Sequence, residues 1–93
     1  MIVGLLTVDL MIPEAHSLKD KRRVIQGLKQ RLHNRFNVSV AEVGSADSAR
    51  RCRLGIALVG GSARPMHSQL DKLVDVVRRT QGLTLLEYER EFL

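Results

Sequence analysis

Tryptophan is absent from this 93-residue chain, and Phe36, Tyr88 and Phe92 are its only aromatic residues. Cysteine is almost absent too: Cys52 stands alone, so an internal disulfide is excluded. It lies in the apolar run CRLGIALV, where it is expected to act as a small buried hydrophobe in a protein kept reduced. A catalytic thiol needs a base partner, and none lies near it in sequence. There is no G-x-x-x-x-G-K-[ST], no G-x-G-x-x-G and no nucleophile elbow, so no cofactor is implied and an enzyme activity has no motif behind it. His16, His33 and His67 are scattered, without a spacing that seats two of them on one helix face, so no metal is expected. No linker, repeat or low-complexity stretch divides the chain, which leaves residues 1–93 as one small domain. The longest apolar segment, MIVGLLTVDLMIP, carries Asp9, lacks a basic leader and cleavage pattern, and is too short to span a bilayer as a helix. It is expected to be the first strand of a cytoplasmic protein with no membrane partner.

Acids are also scarce relative to bases. Fifteen Lys and Arg face ten Asp and Glu, giving +5 and a pI near 10.1. That balance favours an anionic partner, nucleic acid first, and says nothing about fold. The hydrophobic fraction of 44% is ordinary and sufficient for a core.

What is present reads as six elements. In residues 2–12 the even positions Ile2, Leu6, Val8, Leu10 and Ile12 are apolar and the odd ones mixed, which predicts a central strand with one buried face, ended by Pro13. Ser17 with Asp20 three residues on resembles a capping box. Leu18, Val24, Ile25, Leu28, Leu32 and Phe36 then follow at helical spacing, predicting an amphipathic helix over 18–35. Val38, Val40 and Val43 mark a second strand, GSADSARR a polar turn, and residues 52–59 a third strand broken by Gly60-Gly61-Ser62. Two glycines there are read as a turn in preference to a phosphate cradle. Met66, Leu70, Leu73, Val74 and Val77 line a second helix, with Arg78 and Arg79 in its last turn and Gly82 expected at C′. Residues 83–92 form the last strand, on which Glu87, Glu89 and Glu91 make a solvated edge face that discourages unwanted pairing. With right-handed crossovers, β-α-β-β-α-β gives an α+β, ferredoxin-like sandwich: four antiparallel strands with two helices on one face. That fold serves many unrelated activities.

Charge is concentrated in one element. Between Ala15 and Phe36 seven bases (Lys19, Lys21, Arg22, Arg23, Lys29, Arg31, Arg35) meet one acid, Asp20, for a local +6. Arg50, Arg51 and Arg53 add +3, the second helix +2, and the remaining strands and loops −6. Four bases crowd the first turn and a half of the helix, where the macrodipole favours acids; each such base costs up to about 1 kcal/mol. Gly27 inside the same helix costs about 1 kcal/mol relative to alanine. Violated local rules of this kind mark functional sites. A helix start with unpaired N–H groups and converging Lys and Arg suits a phosphate. On a helical wheel Lys19, Arg22 and Arg23 face solvent, Gln26, Gln30 and His33 continue that face, and Lys21 points toward the apolar side with its head expected to snorkel out. A charged face kept for solubility, or for an acidic protein, fits the same pattern.

The strand order puts Asp9 and the three glutamates on the open sheet face, where aromatics are lacking on the first and third strands. Base-stacking recognition of the RRM kind is therefore not expected, and KH recognition lacks its GXXG loop. Any nucleic-acid contact is expected to be phosphate-directed and salt-sensitive.

An apolar first strand, then Ser17-Leu18-Lys19-Asp20-Lys21-Arg22, Val40-Ala41-Glu42-Val43 and Leu54-Gly55-Ile56-Ala57, resembles the YlxP-like proteins, short bacterial proteins without an established function. The likeness covers nearly the whole chain, and the SLKxKR segment is its most specific part. It implies a ferredoxin-like fold and, because the family's genes often lie among those for translation factors, a link to RNA or the ribosome. The matching motif positions are Ser17, Leu18, Lys19, Lys21 and Arg22. Members commonly carry an aromatic in the turn before the third strand, where this chain has Ser-Ala-Asp-Ser-Ala-Arg-Arg.

The sequence thus yields two functional expectations. One is an RNA- or ribosome-associated accessory factor that binds phosphate through Lys19, Arg22 and Arg23, flanked by Lys21 and Lys29, with Ser17 fixing the helix start. The other is a homodimer or larger assembly formed through the open sheet face by Val3, Leu5, Met11, Ala57 and Val59.

Overall fold

Strict alternation along Ile2–Met11 (β1) organises the whole molecule. In the computed structural model, which describes residues 1–93, Leu6, Val8 and Leu10 are fully enclosed while their odd-numbered neighbours are half-buried. After β1 come α1 (Leu18–Arg35), β2 (Ser39–Gly44), β3 (Arg51–Gly60), α2 (Ala63–Arg79) and β4 (Thr84–Phe92). The four strands form one antiparallel sheet in the order β2-β3-β1-β4, so the two most apolar strands are central, and the fold is ferredoxin-like. Cys52, Leu54, Ile56 and Leu58 of β3 join the even positions of β1 beneath Ile25, Leu28 and Leu32 of α1 and Leu70, Leu73 and Val77 of α2, in a single apolar cluster. Truncating one such leucine to alanine costs about 2–5 kcal/mol.

The helix-facing side of β4 is tied to α2 by polar and aromatic contacts. Arg90 bonds Asp71 at 2.7 Å, Phe92 packs at a tilt against His67 with ring centres 4.5 Å apart, and the Arg78 guanidinium lies over Tyr88. Gly60 is the last residue of β3, and a Cβ there would sit 2.6 Å from Met66 Sδ, so close packing demands this glycine. Gly82 lies one position later than C′. The helix closes at Thr80, whose N–H donates to the Val77 carbonyl, and Gly82 adopts φ +87 in the turn that follows. α2 ends at Thr80 because its backbone turns extended (φ −72, ψ 128), while its hydroxyl donates back to the Val76 carbonyl at 2.8 Å.

Candidate anion-binding surface

α1 begins where its side chains say it should. The Ser17 hydroxyl accepts the Asp20 N–H at 3.1 Å, and the Asp20 carboxylate accepts the His16 N–H at 3.0 Å, one residue outside the usual box. That backbone bond holds the Asp20 carboxyl below its ordinary range, with Ser17 and the charges of Arg23 and His16 adding to the effect. From this start the outer face of the helix carries Lys19, Arg22, Arg23, Gln26, Gly27, Lys29, Gln30 and His33, which line a wide, open trough of about 750 Å³ with no apolar residue in it. Lys19 to His33 spans about 21 Å of helix. The four ion pairs of the molecule are Lys21–Glu42, Arg53–Asp9, Arg79–Asp75 and Arg90–Asp71, so none engages Lys19, Arg22, Arg23 or Lys29.

Lys21 departs from its expected place. Its head does not snorkel out: the residue is only 2% exposed. Its Nζ donates to Glu42 Oε2 at 3.0 Å and to the carbonyls of Ser45 (2.9 Å), Arg51 (3.2 Å) and Ala46 (3.5 Å). The ammonium therefore fastens the first turns of α1 to the β2–β3 hairpin and is withdrawn from any surface ligand. Burial pushes the Glu42 carboxyl up, yet bonds from Lys21 and Cys52 and the charges of Lys21 and Lys29 outweigh it and leave Glu42 below its ordinary range. Burial also pushes the Cys52 thiol up to about 12, with the Glu42 charge adding to it, so this cysteine is a buried, unreactive group. Ser45, held by Lys21, has φ 61 and is the single non-glycine residue in the left-handed region.

The three hairpin arginines separate. Arg50 reaches the helix start, its Nε donating to the Ala15 carbonyl at 3.1 Å. Arg53 lies on the open sheet face and grips Asp9 through two bonds of 3.0 and 3.3 Å, which raises its own pKa further. Arg51, opposite Met11, shares that face. Asp9 also stands opposite Glu87, Thr7 opposite Glu89 and Leu5 opposite Glu91, so the acids form one column along β4 and β1. The basic helix and the acidic sheet are thus on opposite sides of the molecule. Val3, Leu5, Met11, Ala57 and Val59 lie on the open face, and Leu5, Ala41, Val43, Gly55 and Ala57 border a shallow apolar recess there. Gly27 joins the lining residues, and Arg50 approaches α1 from the hairpin. The wheel angle of Gly27 beside Arg23 gives the first away, whereas the second depends on tertiary packing. No three His, Cys, Asp or Glu side chains converge as metal ligands, and no helix is long and apolar enough to cross a membrane.

Fold and surface define a small ferredoxin-like domain whose distinguishing feature is one unpaired basic helix face. Residues 3–90 match the family model described as a protein of unknown function, DUF503, and the chain belongs to that family. It is 34% identical over 73 residues to the uncharacterized protein YlxP of Bacillus subtilis (strain 168), covering 78% of this chain and 79% of the relative.

Proposed function

We propose that this protein is a non-catalytic accessory factor that binds structured RNA, in a ribosomal setting, by phosphate contacts through α1. The observation that carries this reading is the state of the cations. Every ion pair in the molecule lies outside the α1 trough, while Lys19, Arg22, Arg23 and Lys29 line it together with amide and imidazole groups and no apolar side chain. Such a surface offers charge and hydrogen bonds but no stacking platform, which suits backbone recognition and not base reading. Arg50 extends it toward the helix start. The ribosomal setting rests on the family resemblance.

The test is titration of an RNA hairpin by fluorescence anisotropy at two salt concentrations. Three phosphate contacts predict an affinity loss of about 40-fold between about 50 and 200 mM salt. Replacing Lys19, Arg22 and Arg23 together with Gln is expected to remove most of the binding. Affinity indifferent to salt, or unchanged in the triple variant, overturns the reading.

A second reading has its own observation. Val59 is 65% and Val43 58% exposed beside the apolar recess on the sheet, a face suited to pairing with another copy through Val3, Leu5, Met11, Ala57 and Val59. A solution mass that rises with concentration supports it, and a monomer at all concentrations rules it out. The two readings are compatible, since pairing through the sheet leaves both basic helices facing outward.

A further inference from the structure

Most glycines of this fold stand against a neighbouring side chain or in the left-handed region, with one exception inside an element. A Cβ at Gly4 would come 3.1 Å from Met66 Cε and one at Gly60 still closer to the same side chain. At Gly44 and Gly55 it would press on Arg53 and Val43, and Gly82 occupies the left-handed region. Gly61, with open space around it, belongs to the loop between β3 and α2. Gly27 sits in the middle of α1 outside the positive-φ region, exposed, and a Cβ there would meet nothing within 4 Å. Neither packing nor backbone geometry asks for glycine at this position, and the helix is weaker for having it. Its place is informative: it lines the basic trough, with Arg23 one turn before it and Gln30 and Arg31 one turn after. Arg31 is turned away from the trough toward the end of α2, its guanidinium donating to the Thr80 hydroxyl at 3.3 Å.

We propose that Gly27 is a contact residue, a gap in the row of long side chains through which a sugar–phosphate backbone of RNA seats directly on the helix. A phosphate there is met by the Arg23 guanidinium, and the Gln30 amide faces the adjoining ribose hydroxyls. The inference rests on the RNA-binding reading above and adds to it the seat of the ligand.

Two variants test it, Gly27→Ala and Gly27→Gln, measured beside wild type and the Lys19, Arg22, Arg23 triple Gln variant for thermal stability and for RNA-hairpin affinity. Both side chains favour helix over glycine, so Tm is expected to rise, by about 4–8 °C for alanine. RNA affinity is expected to move the other way, falling about threefold for alanine and about tenfold or more for glutamine as the gap fills. Variants that are stabilised yet bind like wild type, while the triple variant loses binding, overturn the role of Gly27 and leave the RNA reading standing. Variants less stable than wild type overturn it as well, because the fold would then account for the glycine. Absence of RNA binding by wild type, or full binding by the triple variant, removes the RNA reading and this inference with it.

Discussion

Lys21 and Glu42 are the pair on which the hairpin side of the molecule depends. Lys21 gives up water for one carboxylate and three carbonyls, so deleting its charge removes the ammonium that ties all four to α1, although the Ser45 carbonyl keeps the Ser48 N–H and Glu42 keeps Cys52. Breaking a fully buried pair costs about 3–5 kcal/mol. The Glu42 side chain keeps 28% of its exposure and regains water, so Lys21→Met is expected to destabilise by about 2–4 kcal/mol in urea unfolding. The pH dependence has a definite sign. Folding lowers the Glu42 pKa, so the pair's contribution is complete above the unfolded value of about 4.3 and disappears as pH falls through the lower folded value. Wild type should therefore lose stability below about pH 4.5 more steeply than Glu42→Gln, with Asp20 contributing in the same direction in both. Parallel stability curves for the two proteins in acid would show that Glu42 is not so coupled. Cys52, buried beside this pair with its thiol raised to about 12, should resist a thiol reagent at pH 8 in the native protein and react at once in urea.

Elements in this chain are closed by single residues whose effects differ in kind. Ser17→Ala removes the side-chain bond to the Asp20 N–H and is expected to cost about 1 kcal/mol. Gly82→Ala forces a Cβ into φ +87 and is expected to cost about 1–2 kcal/mol, although Val24 leaves room for the methyl itself. Both are read as midpoint shifts in denaturant. Element type and order were legible in the sequence because the signals are local: the apolar spacing from Leu18 to Phe36 delimits α1 to the residue, and the alternation in β1 picks out the buried face. What escaped is long-range. A lysine on an apolar face reads as a snorkelling side chain until the hairpin carbonyls arrive from residues 45, 46 and 51. Gly82 falls one position past C′ because the backbone already turns extended at Thr80. The outer face of α1 was legible because a charged helix face needs no partner to be recognised, whereas the split of Arg50 from Arg53 required the β1–β3 register.

Charge is separated across the whole molecule, and the separation decides which side an RNA meets. The cations of α1 lie on the helical layer, and Asp9, Glu87, Glu89 and Glu91 lie on the other face of the sheet, with Arg53 already engaged by Asp9. At physiological ionic strength the Debye length is about 8 Å, so acids beyond the core exert little force on a phosphate bound at α1. Neutralising Glu87, Glu89 and Glu91 together with Gln should accordingly change RNA-hairpin affinity by less than about threefold at 150 mM salt, with a larger gain only at low salt. The α1 triple variant should instead flatten the salt dependence itself, lowering the slope of log K against log salt by about 2–3. The two measurements discriminate faces, not merely signs. If RNA lay against the sheet, removing three carboxylates would raise affinity about tenfold or more even at 150 mM salt, because the repelling charges would then be in contact with phosphate. An affinity that climbs in this way when the sheet is neutralised, with a salt slope that ignores Lys19, Arg22 and Arg23, would move the binding surface from the helix to the sheet.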